Sequence, residues 1–346
     1  MKNLREIAEE LHLARSTVSM CLSADLSRYR LSPDTVARVR EYAKANGYVP
    51  NRLARKLSRS DSSAVGLIVL YESSSEKSTR ALETTMERLT AEGREFFIQN
   101  VPCDKLSDAL LFLKGMRVRD IILFGLMREY PPSMVKCSPN NERLRKDQAK
   151  SAALLKDMRL FAVDYSFPVP KDTLFRENIC RMGIDRRKTL RNLFDDLQRS
   201  GKRRIMCDIN THVALPEQEK YIRDPRFIFQ AYDNKKLYEH GKKCAGEFMK
   251  LREELKPEIV IFHNDRSAIG FTDELRRYGL KVPRDVEVIG FNNSEICDYY
   301  NPRLTSVRIP VEENTETVLN AILNDADVEP VRIQEAEIIW RESATL

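Results

Sequence analysis

Arg15, Ser16, Ser19 and Met20 share a stretch with Val18, Cys21 and Leu22, and at helical spacing the polar set falls opposite the apolar one. That division of faces suits contact with the edges of bases. An arginine fork can pair with guanine O6 and N7, a hydroxyl can bond several base edges, and a thioether can make only apolar contact, for instance with a thymine methyl. Thr17 belongs to the same candidate set. For Arg15, a phosphate contact or a plain surface charge stands as the alternative.

Other chemistries lack their residues. The twelve glycines form no GxG of the kind a dinucleotide pyrophosphate needs. Gly241 and Gly246 have P-loop spacing, but Glu247 and Phe248 follow where Lys and Ser/Thr are required. The histidines at 12, 212, 240 and 263 form no HExxH or paired metal spacing, and no GxSxG frames a serine. No catalytic residue, metal or cofactor is therefore expected. The seven cysteines are scattered without a CxxC, which fits reduced thiols in a core.

The elements that must position Arg15 and its neighbours are short helices. Leu4, Ile7, Ala8 and Leu11 recur at three and four residues and predict a first amphipathic helix; Val18, Cys21 and Leu22 predict a second after a turn at 12–14. That spacing is helix-turn-helix. Its second helix would enter a major groove with its N-terminal residues leading. A third helix follows, with Ser32 as N-cap, Pro33 in its first turn, a packed stripe of Val36, Val39 and Ala43, and Gly47 at its end.

Charge points the same way. The chain has 346 residues and a formal net charge of +6; residues 1–64 hold twelve Lys/Arg against seven Asp/Glu, so nearly all of the excess lies there. A module that neutralises phosphates has this imbalance, although a basic solvated tail has it too. With 42% hydrophobic and 32% charged residues and no long apolar run, the sequence predicts a soluble protein with no membrane span. The N-terminal stretch lacks the apolar core of a secretory signal, which leads to an expected location in the cytoplasm, at the nucleoid.

The strings NLREIAEELHLARSTVSMCLS and LSPDTVARVREYAKANGYVPNRLARKLSRS resemble the N-terminal module of the LacI (lactose- and purine-repressor) family of bacterial transcription regulators. The most specific part is GYVPNRLARKL, Gly47 to Leu57. In that family a Pro-Asn pair opens a hinge helix that enters the minor groove beside its partner, and a leucine wedges a base step apart. The resemblance implies that role for Leu57, with Asn51, Ala54, Arg55 and Lys56 around it; a linker residue packed on the core is the alternative for Leu57. Unstacking costs a few kcal/mol per step, and wrapping a bent duplex offsets it. His12, Ala14 and Met20 depart from the family pattern, so no operator sequence carries over. Between the second and third helices the chain is longer than in most members and offers Arg28, Tyr29 and Arg30 as phosphate contacts, or as a solvated loop.

Beyond a polar linker the text alternates strands and helices. Apolar runs at 65–70, 94–100, 120–125, 158–164, 203–209, 226–232, 258–263 and 286–291 read as buried parallel strands, with helical stretches such as TLRNLFDDLQRSG and GFTDELRRYGL between them. The expected fold is a small all-α helix-turn-helix domain plus an α/β two-lobed core with doubly wound parallel sheets. The expected bounds are 1–48 for the first, 49–64 for hinge helix and linker, and 65–346 for the core, with one lobe near 65–165 and 294–322 and the other near 166–293 and 323–346. The segment 127–150 reads as a surface excursion.

Ligands of open α/β sheets lie beyond the carboxyl ends of strands, which singles out Tyr71, Ser73, Asp164, Asn264, Asp265 and Asn292. HNDRSAIGFTDELRRYGLKVPRDVEVIGFNN, NPRLTSVRIP and WRES are again similar to the LacI family, whose core is like the periplasmic sugar-binding proteins. This implies a small-molecule effector between the lobes, with Asp265 accepting bonds from a sugar hydroxyl or similar group; a plain helix cap by Asn264 and Asp265 is the alternative. NTHVALPEQEKYIRDP is far shorter than the family's passage there, and YESSSEKS lacks the usual Asn-Pro-aromatic segment. The expectation is a homodimeric repressor of carbohydrate-related genes on a palindromic operator, without a heptad tail for a tetramer. The rivals are a DNA-binding regulator with a vestigial or non-sugar cleft, a solute-binding sensor and an α/β enzyme.

Overall fold

The computed structural model describes residues 3–22, 30–48, 62–70, 76–127, 129, 139–167, 169–208, 227–229 and 236–346. They form two compact units, Met1–Ser62 and Ser63–Leu346, each described in its own frame.

The first unit is built from α1 (Leu4–Glu10), α2 (Arg15–Cys21) and α3 (Pro33–Ala45). Asn3 caps α1, accepting from the Arg5 and Glu6 amides while the Glu6 carboxylate returns to the Asn3 amide, a complete capping box. Ser32 caps α3 and Pro33 occupies its first turn. Helices this short are not stable alone, so their common core holds them: Ile7, Ala8, Val18, Cys21, Val36, Val39 and Ala43 are buried together. Leu4, Leu11 and Leu22, which the helical spacing also assigned to the apolar set, pack against this core half-buried.

The second unit holds two six-stranded sheets. The first has the order β11-β5-β4-β3-β1-β2, from β1 (Ser62–Leu70), β2 (Phe96–Val101), β3 (Val118–Phe124), β4 (Arg159–Ser166), β5 (Ile179–Ile184) and β11 (Val331–Gln334). The second has the order β12-β10-β9-β8-β6-β7, from β6 (Ile205–Asp208), β7 (Phe227–Phe229), β8 (Ile259–Phe262), β9 (Glu287–Phe291), β10 (Thr305–Arg308) and β12 (Glu337–Ile339). The ladder between β10 and β12 is antiparallel, whereas β4–β5, β6–β8, β8–β9 and β5–β11 are parallel.

The inner strands bury both faces. In the first sheet Leu67, Ile122 and Val163 face α4 (Glu76–Ala91) and α10 (Val311–Leu323), whereas Ile68, Ile121 and Ala162 face α5 (Leu106–Gly115). In the second, Cys207, Ile261 and Ile289 pack with α7 (Arg186–Arg199), and Met206, Val260 and Val288 with α8 (Leu237–Lys250) and α9 (Asp265–Arg277). Helices on both faces explain the near-continuous apolar runs.

Sheet membership corrects the lobe bounds expected from the sequence. β5, placed in the second lobe by those bounds, is a first-sheet strand; β10 belongs to the second sheet and β11 to the first. The chain therefore passes between lobes three times, after Ile184, after Arg308 and after Gln334. The reading of 127–150 as a surface excursion is also corrected for its described residues, 127, 129 and 139–150. Met127 bridges Tyr165, Glu129 is buried, and α6 (Pro139–Leu154) packs on α5, with Asp147 accepting from the Ser107 amide. Glu129 accepts from Arg181 Nε and Nη2 at 3.1 and 3.0 Å and from the Tyr165 hydroxyl at 2.8 Å. A buried charge needs such partners, and here they tie the segment after β3 to the sheet.

Candidate nucleic-acid interface and interlobe cleft

In the first unit, burial of Val18 and Cys21 leaves Arg15 and Ser16 exposed and Thr17, Ser19 and Met20 half-buried. The helix thus presents its N-terminal polar residues outward. Two arginines of α3 serve the unit itself: Arg38 Nη2 donates to the Leu11 carbonyl at 3.2 Å and Arg40 Nε to the Cys21 carbonyl at 3.1 Å. They satisfy carbonyls at the ends of α1 and α2 that have no helical partner. His12 closes the turn between those helices with φ +52°, a conformation glycine adopts more readily. Arg30 is exposed, whereas Arg28 and Tyr29, and the hinge set Asn51, Ala54, Arg55, Lys56 and Leu57, lie outside the described residues.

In the second unit the carboxyl ends of the two sheets meet around Arg186. This residue opens α7 immediately after the first crossing, where the Asp185 side chain accepts from the Arg187 and Lys188 amides and caps the helix. Its Nη2 donates to Asp164 Oδ1 on β4 at 2.9 Å, and its guanidinium lies over the Phe291 ring at the end of β9, 5.3 Å from the centroid. Asp164 is buried and the Arg186 side chain is only 12% exposed. The sequence reading missed Arg186. Its signal was an Asp-Arg pair directly after the apolar run ICRMGI, itself not read as a strand.

Asn292 and Asn293 follow Phe291 with φ of +99° and +48°. Their turn is pinned from below: the Asn292 amide donates to the Val307 carbonyl and the Asn293 amide to the Ser306 hydroxyl. Asp265 holds the same turn. Its Oδ2 accepts from the Ser294 amide and hydroxyl at 2.8 and 2.7 Å, and its Oδ1 from Ser306 Oγ at 2.6 Å. Asp265 is 1% exposed, and burial pushes its carboxyl above the usual carboxylate range against the pull of those hydrogen bonds. Gly290 makes room for it, since a Cβ there would stand 2.2 Å from Asp265 Oδ1. Asn264 is the N-cap of α9, accepting from the Arg266 amide at 2.9 Å. Arg186 thus joins Asp164 to Phe291, the residue before Asn292, while Asp265 faces inward beneath the turn, and Tyr71 and Ser73 lie outside the described residues. Among the described residues no group of His, Cys, Asp and Glu has the arrangement of a metal site, and no helix is long and apolar enough to cross a membrane.

Comparison with known proteins places these features. Residues 209–344 match the family model described as periplasmic binding protein-like domain. The HTH-type transcriptional regulator AscG of Escherichia coli (strain K12) is 26% identical, with 99% of this chain and 98% of that protein aligned. The lactose operon repressor of Rhizobium radiobacter is 32% identical over 94 residues, which are 26% of this chain and 83% of that relative. Among solved structures, a lac repressor dimer bound to operator and the anti-inducer ONPF superposes with a TM-score of 0.70 at 17% identity, covering 99% of this chain and 98% of that one. A helix-turn-helix unit joined to a periplasmic-binding-protein-like core, with relatives matched along the whole length, means that the chain belongs to the LacI family of transcription regulators.

Proposed function

We propose that this protein is a sequence-specific DNA-binding repressor, acting in the cytoplasm as a homodimer on a palindromic operator and controlled by a small molecule in the cleft between its lobes. The observation that carries the reading is the outward face of α2, where Arg15 and Ser16 are exposed while Val18 and Cys21 are buried. Arg15, Ser16, Thr17, Ser19 and Met20 read the major groove. Asn51, Ala54, Arg55, Lys56 and Leu57 form the minor-groove hinge, with Leu57 as the wedge. Two such units related by a dyad fit half-sites about one or more helical turns apart. The cleft candidates are Tyr71, Ser73, Asp164, Asn264 and Asn292, with Asp265 holding the turn that carries Asn292. A carbohydrate-related ligand is supported by the core's likeness to a regulator solved with bound glucose, which has a TM-score of 0.58.

The test is selection of bound sequences from a random duplex pool at about 150 mM salt, where non-specific phosphate binding is weak. The expected result is an inverted repeat with a deformable central step; a pool with no enriched motif overturns the reading. With that operator in hand, Arg15→Ala should relax preference at one position of each half-site, a loss of about 1–3 kcal/mol in discrimination. Equal weakening on every sequence would make Arg15 a phosphate contact instead.

A further inference from the structure

Arg186 joins the two lobes in a way that a ligand site alone does not explain. Asp164 belongs to the first sheet and Phe291 to the second, and the one guanidinium bonds the former at 2.9 Å while covering the face of the latter. The pair is withdrawn from water, with side-chain exposures of 12% and 4%. A guanidinium is the group suited to this double task, because its edge pairs with a carboxylate while its plane stacks on an aromatic ring.

The arginine is held firmly in place. It is the first residue of α7, capped by Asp185, and the Thr189 hydroxyl and amide both donate to the Asp185 carbonyl. It also stands one residue beyond the first of the three crossings between lobes, where small rotations become large displacements farther out. One of its donors, Nε, is buried without an acceptor. A buried unpartnered donor is unfavourable, so this arrangement is one that a rearrangement of the cleft can relieve. Buried ion pairs of this kind contribute little net stability, yet removing one partner leaves the other charge buried and uncompensated, so the arrangement is sensitive to loss of either side chain.

We propose that Arg186 is an internal clasp, bridging Asp164 of the first lobe and Phe291 of the second, that sets the arrangement of the two lobes. The clasp is the intramolecular counterpart of an effector: it supplies from the chain's own side chains a bond across the cleft. It rests on the proposed function only in its link to operator affinity, since the bridge itself is a matter of the core.

Hydrogen exchange followed by mass spectrometry on the full chain tests it, comparing the native protein with Arg186→Ala, Asp164→Asn and Arg186→Lys. The clasp predicts about fivefold or greater acceleration in peptides spanning the crossings near Ile184–Thr189 and Ile309–Val311 in Arg186→Ala and Asp164→Asn. Peptides around Phe248 and Phe271, deep in the second lobe, should not change. Arg186→Lys keeps the charge without the plane and should fall between, and it keeps the test open should Arg186→Ala fail to fold. Operator affinity should shift about fivefold or more in the same direction for Arg186→Ala and Asp164→Asn, with the double variant no further displaced than either single one. Unchanged exchange at the crossings, or acceleration that includes the Phe248 and Phe271 peptides, overturns the clasp. Failure of the native protein to select any operator overturns the repressor reading instead and leaves the exchange result standing.

Discussion

His12 holds a left-handed backbone at the turn on which the first unit depends, and its side chain is exposed. A side chain at such φ costs about 1 kcal/mol relative to glycine, part of which the freer unfolded chain returns. His12→Gly should therefore raise the stability of the first unit by about 0.5–1 kcal/mol, read from its denaturant midpoint; a lower midpoint would show that the imidazole is fixed by contacts. Asp265 shows the opposite economy, a carboxylate taken wholly inside. Because burial raises its folded pKa above the unfolded value, its contribution to stability is fully present below the unfolded pKa and is lost as pH rises through the folded one. Measured against Asp265→Asn, the native protein should lose relative stability as pH is raised above the ordinary carboxylate range. A difference that stays flat, or grows, would mean that its three hydrogen bonds outweigh the burial.

Helix α8 packs on α9 through two glycines, with no side chain between the backbones. A Cβ on Gly241 would lie 2.0 Å from the Ser267 carbonyl oxygen, and one on Gly270 would lie 2.1 Å from the Tyr238 carbonyl oxygen. Neither neighbour can swing aside, since both are backbone. Gly241→Ala or Gly270→Ala should cost about 3 kcal/mol or more in denaturant unfolding, and a change below about 1 kcal/mol would mean that the helices separate freely. Legibility in the sequence followed the same physics. β3, β8 and β9 announced themselves because each holds an unbroken apolar run of four residues, Ile121–Phe124, Ile259–Phe262 and, with its glycine, Val288–Phe291, buried on both faces. β5 did not, because Arg181 interrupts it, and the carboxylate that makes this charge tolerable, Glu129, is 52 residues away. β11 and β12 are short edge strands with two of four and one of three residues turned to solvent, and none fully buried, so they carry no run to read. α6 lacks an apolar stripe and is held in part by Asp147 on Ser107. In the cleft, Asp164 and Asn292 could be found from strand ends, but Arg186 depended on a partner from each lobe and no local pattern shows that.

For the molecule as a whole, association with DNA should depend steeply on salt, because the excess positive charge is concentrated in the first unit. Part of that charge is already committed, Arg38 and Arg40 being bound to carbonyls of their own unit. Arg30 is exposed, and Arg30→Ala should weaken binding about equally on all sequences and lower the slope of log affinity against log salt by about one. An unchanged slope would return it to the solvated loop. The three passages between lobes have a further consequence during synthesis on the ribosome. The buried residues of the first unit are all in hand by Ala43, whereas the first lobe waits for β11 at Val331 and the second for β12 at Glu337. At about 5–20 residues per second that interval is roughly a quarter of a minute to a minute. A nascent chain therefore holds the complete buried set of its first unit well before either sheet has received its last edge strand, so the first unit can fold while the core is still incomplete.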